Sequence, residues 1–191
     1  LAIYDQVLQP HRGSSVPALA DASALLWRLA LRDVDIGARW RMLASHWERK
    51  RLQGQRAFYL VHALMAFAAA GRTAFARRTS TLLASDPDTR AASAGEDVIL
   101  ALPLAVGLQA FSRGDYATAV DAIGRVRAIA DRCGGSVAQC DLIHLTLTEA
   151  ALRSRRARLA RALAAERAAR KPQSALNRLL FARAGAAAPA A

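Results

Sequence analysis

With 191 residues the chain is long enough to bury a real core and is most simply one domain. Its formal charge is +12, and nearly all of its basic residues are arginines, Lys50 and Lys171 being the exceptions, which points to an Arg/Ala-rich coding bias more than to a lysine-rich nucleic-acid tail. The longest charge-free runs, 57–71 and 98–112, fall short of the roughly 20 apolar residues a bilayer requires, so core helices are expected there and neither a membrane span nor a signal peptide is read.

In chain order, LAIYDQVLQP reads as the last turns of a helix already under way, with Tyr4, Val7 and Leu8 on its buried side and Pro10 ending it. This suggests that residues precede Leu1. The apolar face of Leu1, Ile3, Tyr4, Val7 and Leu8 is then expected to need cover from another copy or from another helix of the same chain.

A first hairpin is predicted over about 16–50. Leu25, Leu26, Leu29 and Ala30 form one face, and Trp40, Leu43, Ala44 and Trp47, at i, i+3, i+4 and i+7, form the other. Asp33-Val34-Asp35 supplies the break and the cap. The three tryptophans lie on apolar faces, which predicts a packing cluster and not an aromatic cage.

A second hairpin is predicted over about 54–84, turning at Gly71. The stretch 85–97 has no periodicity and is long for a helix connection, so it is either mobile or docked against the stack.

The stretch from Val98 to Asp141 carries the plainest pattern: an apolar helix, a turn at Gly114-Asp115, then an amphipathic helix. Tyr116, Val120, Ile123, Val126 and Ala130 form one stripe of that second helix. Small residues at Gly107 and Ala119 mark a close crossing. This G…GDYxxA pattern is that of one tetratricopeptide repeat, and superposing Gly71 on Gly114 aligns the second hairpin with it.

A third hairpin, 137–153 and 155–170, has Ser154 at the turn position and Leu159 and Leu163 as anchors. Gly134 is expected to end the preceding helix and Ser136 to cap the next. Ser174 caps a last helix that covers the end of the stack. Residues 185–191 read as a flexible Ala/Pro tail, leaving 1–184 as a single repeat domain.

The segments CGGSVAQCD and RKPQSALNRLLFARA, the phrase VDIGARW and the HALMA run from His62 together resemble the tetratricopeptide repeat protein 38 family, over nearly the whole chain and in matching order. The resemblance implies an α-helical repeat fold corresponding to the C-terminal half of a longer family member. Two positions depart from the family: Tyr59 and Leu60 stand where it tends to carry Asn-Asp, and Cys140 where it tends to carry Arg. A polar site built on those residues would be incomplete here.

The fold class expected is therefore all-α, a tetratricopeptide-like right-handed superhelix of antiparallel hairpins. In that register the first helix of each hairpin lines the concave face. Phe58, Val61, His62 and Met65, then Leu104 and Leu108 with Ala101 and Phe111, and finally Asp141, His144 and Thr148 are the candidate partner-binding residues. An inner face so apolar is filled by the protein's own segments or binds an apolar helix, and the first is favoured. Phe58, Val61, Met65, Leu104 and Leu108 are the expected acceptor for the N-terminal face.

The chain from Ala150 onward holds ten basic residues against the single acid Glu166. Arg153, Arg155, Arg156, Arg158 and Arg161 form the candidate basic patch, the runner-up reading being nucleic-acid binding. Few aromatics interleave with them and no code-like repeat is present, so nucleic acid is not the expected partner. Cys140, Asp141 and His144 on one helical turn raise an enzyme reading, but no oxyanion element or glycine-rich loop accompanies them. No metal-ligand spacing is present, and the Cys133–Cys140 pair reads as two reduced thiols in a cytoplasmic protein. The reading is an interaction or scaffold module without catalytic residues, metal or cofactor. Its partner is a protein or its own flanking segments, with self-association left open.

Overall fold

The structure, a computed structural model, describes residues 1–93, 95–132 and 135–186. The described residues are helical, with no strand among them. The ten α-helices are α1 (Val16–Ala30), α2 (Arg39–Glu48), α3 (Ala57–Ala69), α4 (Thr73–Ser85), α5 (Pro87–Ala92), α6 (Gly95–Ser112), α7 (Tyr116–Gly124), α8 (Val137–Arg153), α9 (Ala157–Arg170) and α10 (Ala175–Ala186). Four antiparallel hairpins follow: α1/α2, α3/α4, α6/α7 and α8/α9.

The first helix of every hairpin ends in the same way. Asp33, Gly71, Gly114 and Arg155 all have positive φ, between 56° and 78°. After each of them the next amide reaches five residues back, as in Arg72 N to Phe67 O at 2.8 Å, Asp115 N to Ala110 O at 2.9 Å and Arg156 N to Ala151 O at 3.1 Å. This Schellman closure satisfies carbonyls that the helix end would otherwise orphan. It recurs at intervals of roughly forty residues, longer than the roughly 34 of a tetratricopeptide repeat. In the last hairpin the left-handed residue is Arg155 and not the expected Ser154, whose φ is −80°.

Side-chain caps start several helices. Ser136 and Gln139 make a reciprocal capping box on α8, and Asp115 Oδ1 accepts from Thr118 N at 3.1 Å on α7. The expected cap of α2 by Asp33-Val34-Asp35 does not form. Ala38 occupies that position, while Asp35 Oδ1 accepts from Gly37 N in a turn ahead of the helix.

The segment expected as a long connection is docked and contains α5. Asp86 caps α5 and also accepts from Gly54 N at 2.9 Å, and Ser93 Oγ accepts from Ala57 N at 2.7 Å. It thus supplies the cap that Arg56 cannot give α3. The amphipathic helix expected from Tyr116 stops at Gly124 and continues as a 3-10 stretch, Arg127–Arg132, with Val126 and Ala130 still buried. Glycine is a poor helix interior residue, so the break falls there.

The tryptophans form the packing cluster expected. Trp27 and Trp40 meet edge to face with centroids 6.3 Å apart, and Trp27 also packs on Phe111. The two most deeply buried indoles each find a hydroxyl: Trp47 Nε1 donates to Ser23 Oγ and Trp27 Nε1 to Thr146 Oγ1, both at 3.0 Å. These hydroxyls in turn donate to the carbonyl four residues back, Leu19 and Leu142, so no polar atom is stranded.

At the N-terminus Tyr4–Leu8 is a π-helical turn packed on α1. Tyr4 is fully buried, but Val7 and Ile3 are exposed, so Val7 does not belong to the buried side. Asp5 pairs with Arg39 through two hydrogen bonds of 2.7 and 2.6 Å. At the other end α10 packs on α9, with Leu180 and Ala184 buried. The fully buried Glu149 takes two bonds from Arg183, at 2.6 and 3.1 Å, and an ion pair from Arg153. Gly185 and Ala186 belong to α10; residues 187–191, and with them the rest of the expected tail, lie outside the described residues.

Candidate functional site

The expected concave-face residues separate into two places. Phe58, Val61, His62 and Met65 of α3 meet Ala101, Leu104 and Leu108 of α6, and α8 lies over them with Leu142, Ile143 and Thr146. Together these border a small, partly open pocket of about 30 Å³. Val61, His62, Met65, Leu104 and Leu108 are buried, with Leu142, Ile143 and Thr146 of α8 beside them. The N-terminal segment is not what covers them.

Asp141, His144 and Thr148 lie on the other side of α8. They line a second, larger cleft of about 490 Å³ with Arg127, Leu163, Glu166, Arg167, Arg170, Lys171 and Asn177, between α8, α9 and the start of α10. Arg167 grips Asp141 through two bonds, at 2.8 and 3.3 Å, and Arg28 stands 3.5 Å from the same carboxylate. Burial works to raise the Asp141 pKa, but Arg167 and Arg28 outweigh it and hold the group below the usual carboxylate range. Asp141 is therefore a charged structural partner and a poor proton acceptor. Glu166 sits between Arg127 and Arg170, the latter at 2.8 Å.

Sequence reading placed Asp141, His144 and Thr148 together but missed the cations opposite them. Their signal was present: Arg167, Arg170 and Lys171 follow at helical spacing at the end of α9, where cations favour the helix C-terminus.

The five arginines of the expected basic patch are not equivalent. Arg153 donates to Leu31 O at 3.2 Å and Asp33 Oδ1 at 2.9 Å, and its guanidinium lies 5.1 Å from the Phe111 ring centroid. Arg156 pairs with Asp121 at 2.5 and 3.1 Å. Arg155, Arg158 and Arg161 are exposed and form no ion pair among the described residues.

Cys140, expected as a reduced thiol, is disulfide-bonded, and Cys133 lies outside the described residues. Cys140 occupies the first turn of α8, where side chains lean back toward the preceding segment. The expected end of a helix at Gly134 also lies outside the described residues. Among the described residues no group of three or more His, Cys, Asp and Glu could hold a metal ion, and no helix is long and apolar enough to cross a membrane.

No family model and no solved structure matches this chain. Two sites stand out on the chain itself. Of these the larger carries six charged side chains, and the smaller is lined almost wholly by apolar ones.

Proposed function

We propose that this chain is a non-catalytic interaction module of stacked helical hairpins, and that it receives an acidic segment of a protein partner in the cleft between α8, α9 and α10. The tetratricopeptide-like right-handed superhelix, and kinship with the tetratricopeptide repeat protein 38 family, belong to the same proposal. The recurring Schellman turns and the small residue at Gly107 support them.

The observation that carries the reading is the charge of the cleft. Its lining holds Arg127, Arg167, Arg170 and Lys171 against Asp141 and Glu166. The Nε atoms of Arg127 and Arg167 are buried there without a hydrogen-bond partner. Two cationic donors left over after internal pairing call for an anionic acceptor. Small-molecule pockets are lined mainly by apolar side chains, and this one carries six charged side chains with the exposed cations Arg170 and Lys171 among them, which favours a carboxylate-bearing peptide. The hold of Arg167 and Arg28 on Asp141 argues against catalysis by Asp141 and His144. The disulfide at Cys140 weighs against a cytoplasmic setting.

The test is fluorescence anisotropy with a labelled octaglutamate peptide and an octalysine control. The acidic peptide should bind alone, and the rim changes Arg170→Glu and Lys171→Glu should weaken it while leaving the fold intact. Equal behaviour of the two peptides, or binding untouched by both reversals, would reject the reading.

A further inference from the structure

The charged cleft between α8, α9 and α10 contains two acids of its own, and they are held in different ways. Asp141 on α8 is gripped by both Nη atoms of Arg167, whose side chain is only 12% exposed, and Arg28 reaches it from α1. That carboxylate ties three helices together. Removing it would leave a largely buried guanidinium without its partner.

Glu166 on α9 is held more lightly. Its Oε2 meets Arg127, and its Oε1 meets Arg170, four residues on along the same helix, at 2.8 Å. Each of these three side chains is about a third exposed or more, and that of Arg170 is 59% exposed. A helical pair of this kind is screened by water and contributes little, so a competing anion can open it. The sequence sets the same residue apart: from Ala150 onward the chain holds ten basic residues and one acid, and that acid is Glu166.

Of the four cations lining the cleft, Arg167 is committed to Asp141, and Glu166 occupies Arg127 and Arg170. A carboxylate arriving from outside needs those same two arginines. We infer that Glu166 is an internal stand-in for the partner's carboxylate: it fills Arg127 and Arg170 in the free chain, and an acidic segment enters the cleft by displacing it. This rests on the reading of the cleft as a receptor for an acidic segment, and its consequence is selectivity. A single outside carboxylate that replaces Glu166 exchanges one acid for another and gains little. A segment with several acids also reaches Lys171, which forms no ion pair among the described residues, and so binds with a surplus.

The experiment measures octaglutamate binding by fluorescence anisotropy for the unaltered chain, Glu166→Gln, Arg170→Gln and the double change, each checked by thermal melting. Glu166→Gln should tighten binding about fivefold, the worth of a solvent-screened ion pair, and a gain of affinity is not what a merely structural side chain gives when removed. In the Arg170→Gln background the same change should gain only about twofold, because one of the cations it frees is gone. Equal binding by the unaltered chain and Glu166→Gln would overturn the role of Glu166 while the acidic-segment reading stands. An equal gain in both backgrounds would overturn it as well, since a bare change of net charge would then account for the effect. No binding by any of the four chains would sink both. If Glu166→Gln does not fold, the ¹³C resonance of the Glu166 carboxylate in the unaltered chain decides: it should move as octaglutamate is added, and a resonance that stays in place rejects displacement.

Discussion

Trp27 of α1 donates its indole N–H to Thr146 of α8 at 3.0 Å, across 119 positions of sequence. This bond marks where the first hairpin meets the fourth. Arg153, further along α8, reinforces the junction by donating to Leu31 O at the end of α1 and to Asp33 beyond it.

Thr146→Val should therefore cost about 1–3 kcal/mol, because it strands a buried indole donor while keeping the side-chain volume. In a Trp27→Phe background the same change should cost much less. Urea unfolding of the four chains of that double-mutant cycle measures the coupling, and additive effects would mean that the bond does not hold the junction.

Gly107 faces α7, where an added Cβ would collide with Ile123 Cγ1 and stand 3.4 Å from the Ala119 carbonyl oxygen. Gly107→Leu should destabilise by about 1–3 kcal/mol or more through overpacking. Pairing it with Ile123→Ala should restore part of the loss. A thermal melt unchanged by the single substitution would refute the close crossing.

Arg155 holds a left-handed backbone, φ 56°, that glycine adopts without penalty. Its side chain is exposed and forms no ion pair among the described residues. Arg155→Gly should raise stability by about 1 kcal/mol, and Gly114→Ala, at φ 78°, should lower it by a similar amount. Midpoints in urea would reveal both, and opposite signs would contradict the turn geometry.

Burial lowers the pKa of His62 in the folded state. The unfolded chain therefore binds the proton more readily, and the stability this group contributes is present above its unfolded value, about 6.5, and lost as pH falls through that value toward the folded one. Unfolding free energy measured from pH 7.5 down to 5.5 should fall more steeply for the unaltered chain than for His62→Leu. Parallel curves would show that the ring is not held neutral.

Arg153 and Arg156 are engaged with acidic partners, which leaves Arg155, Arg158 and Arg161 to meet a phosphate backbone. Filter binding of a single-stranded oligonucleotide should be weak, without sequence preference and lost near about 0.15 M salt. Tight binding that persists there would make nucleic acid the leading partner class.

The amino-acid sequence by itself determined the helices and most of their turns. Gly71 and Gly114 mark left-handed closures that a side chain would strain, Ser136 and Gln139 spell a capping box, and Trp40, Leu43, Ala44 and Trp47 fall on one helical face. Each of these is a local effect, acting within a few residues, so it can be read from spacing. The last turn is expected at Ser154 and falls there, but its left-handed residue is Arg155, one position on, because no glycine announces it. What only the tertiary structure decided is which face covers which. α8 lies over Val61, His62 and Leu104, two of the basic-patch arginines meet Asp33 and Asp121, and Asp141 turns with Arg167 into a charged cleft. An apolar stripe records that it must be buried, and an arginine that it carries charge. Neither records its partner, because pairings across more than a hundred positions depend on how the hairpins stack and not on any local pattern of residues.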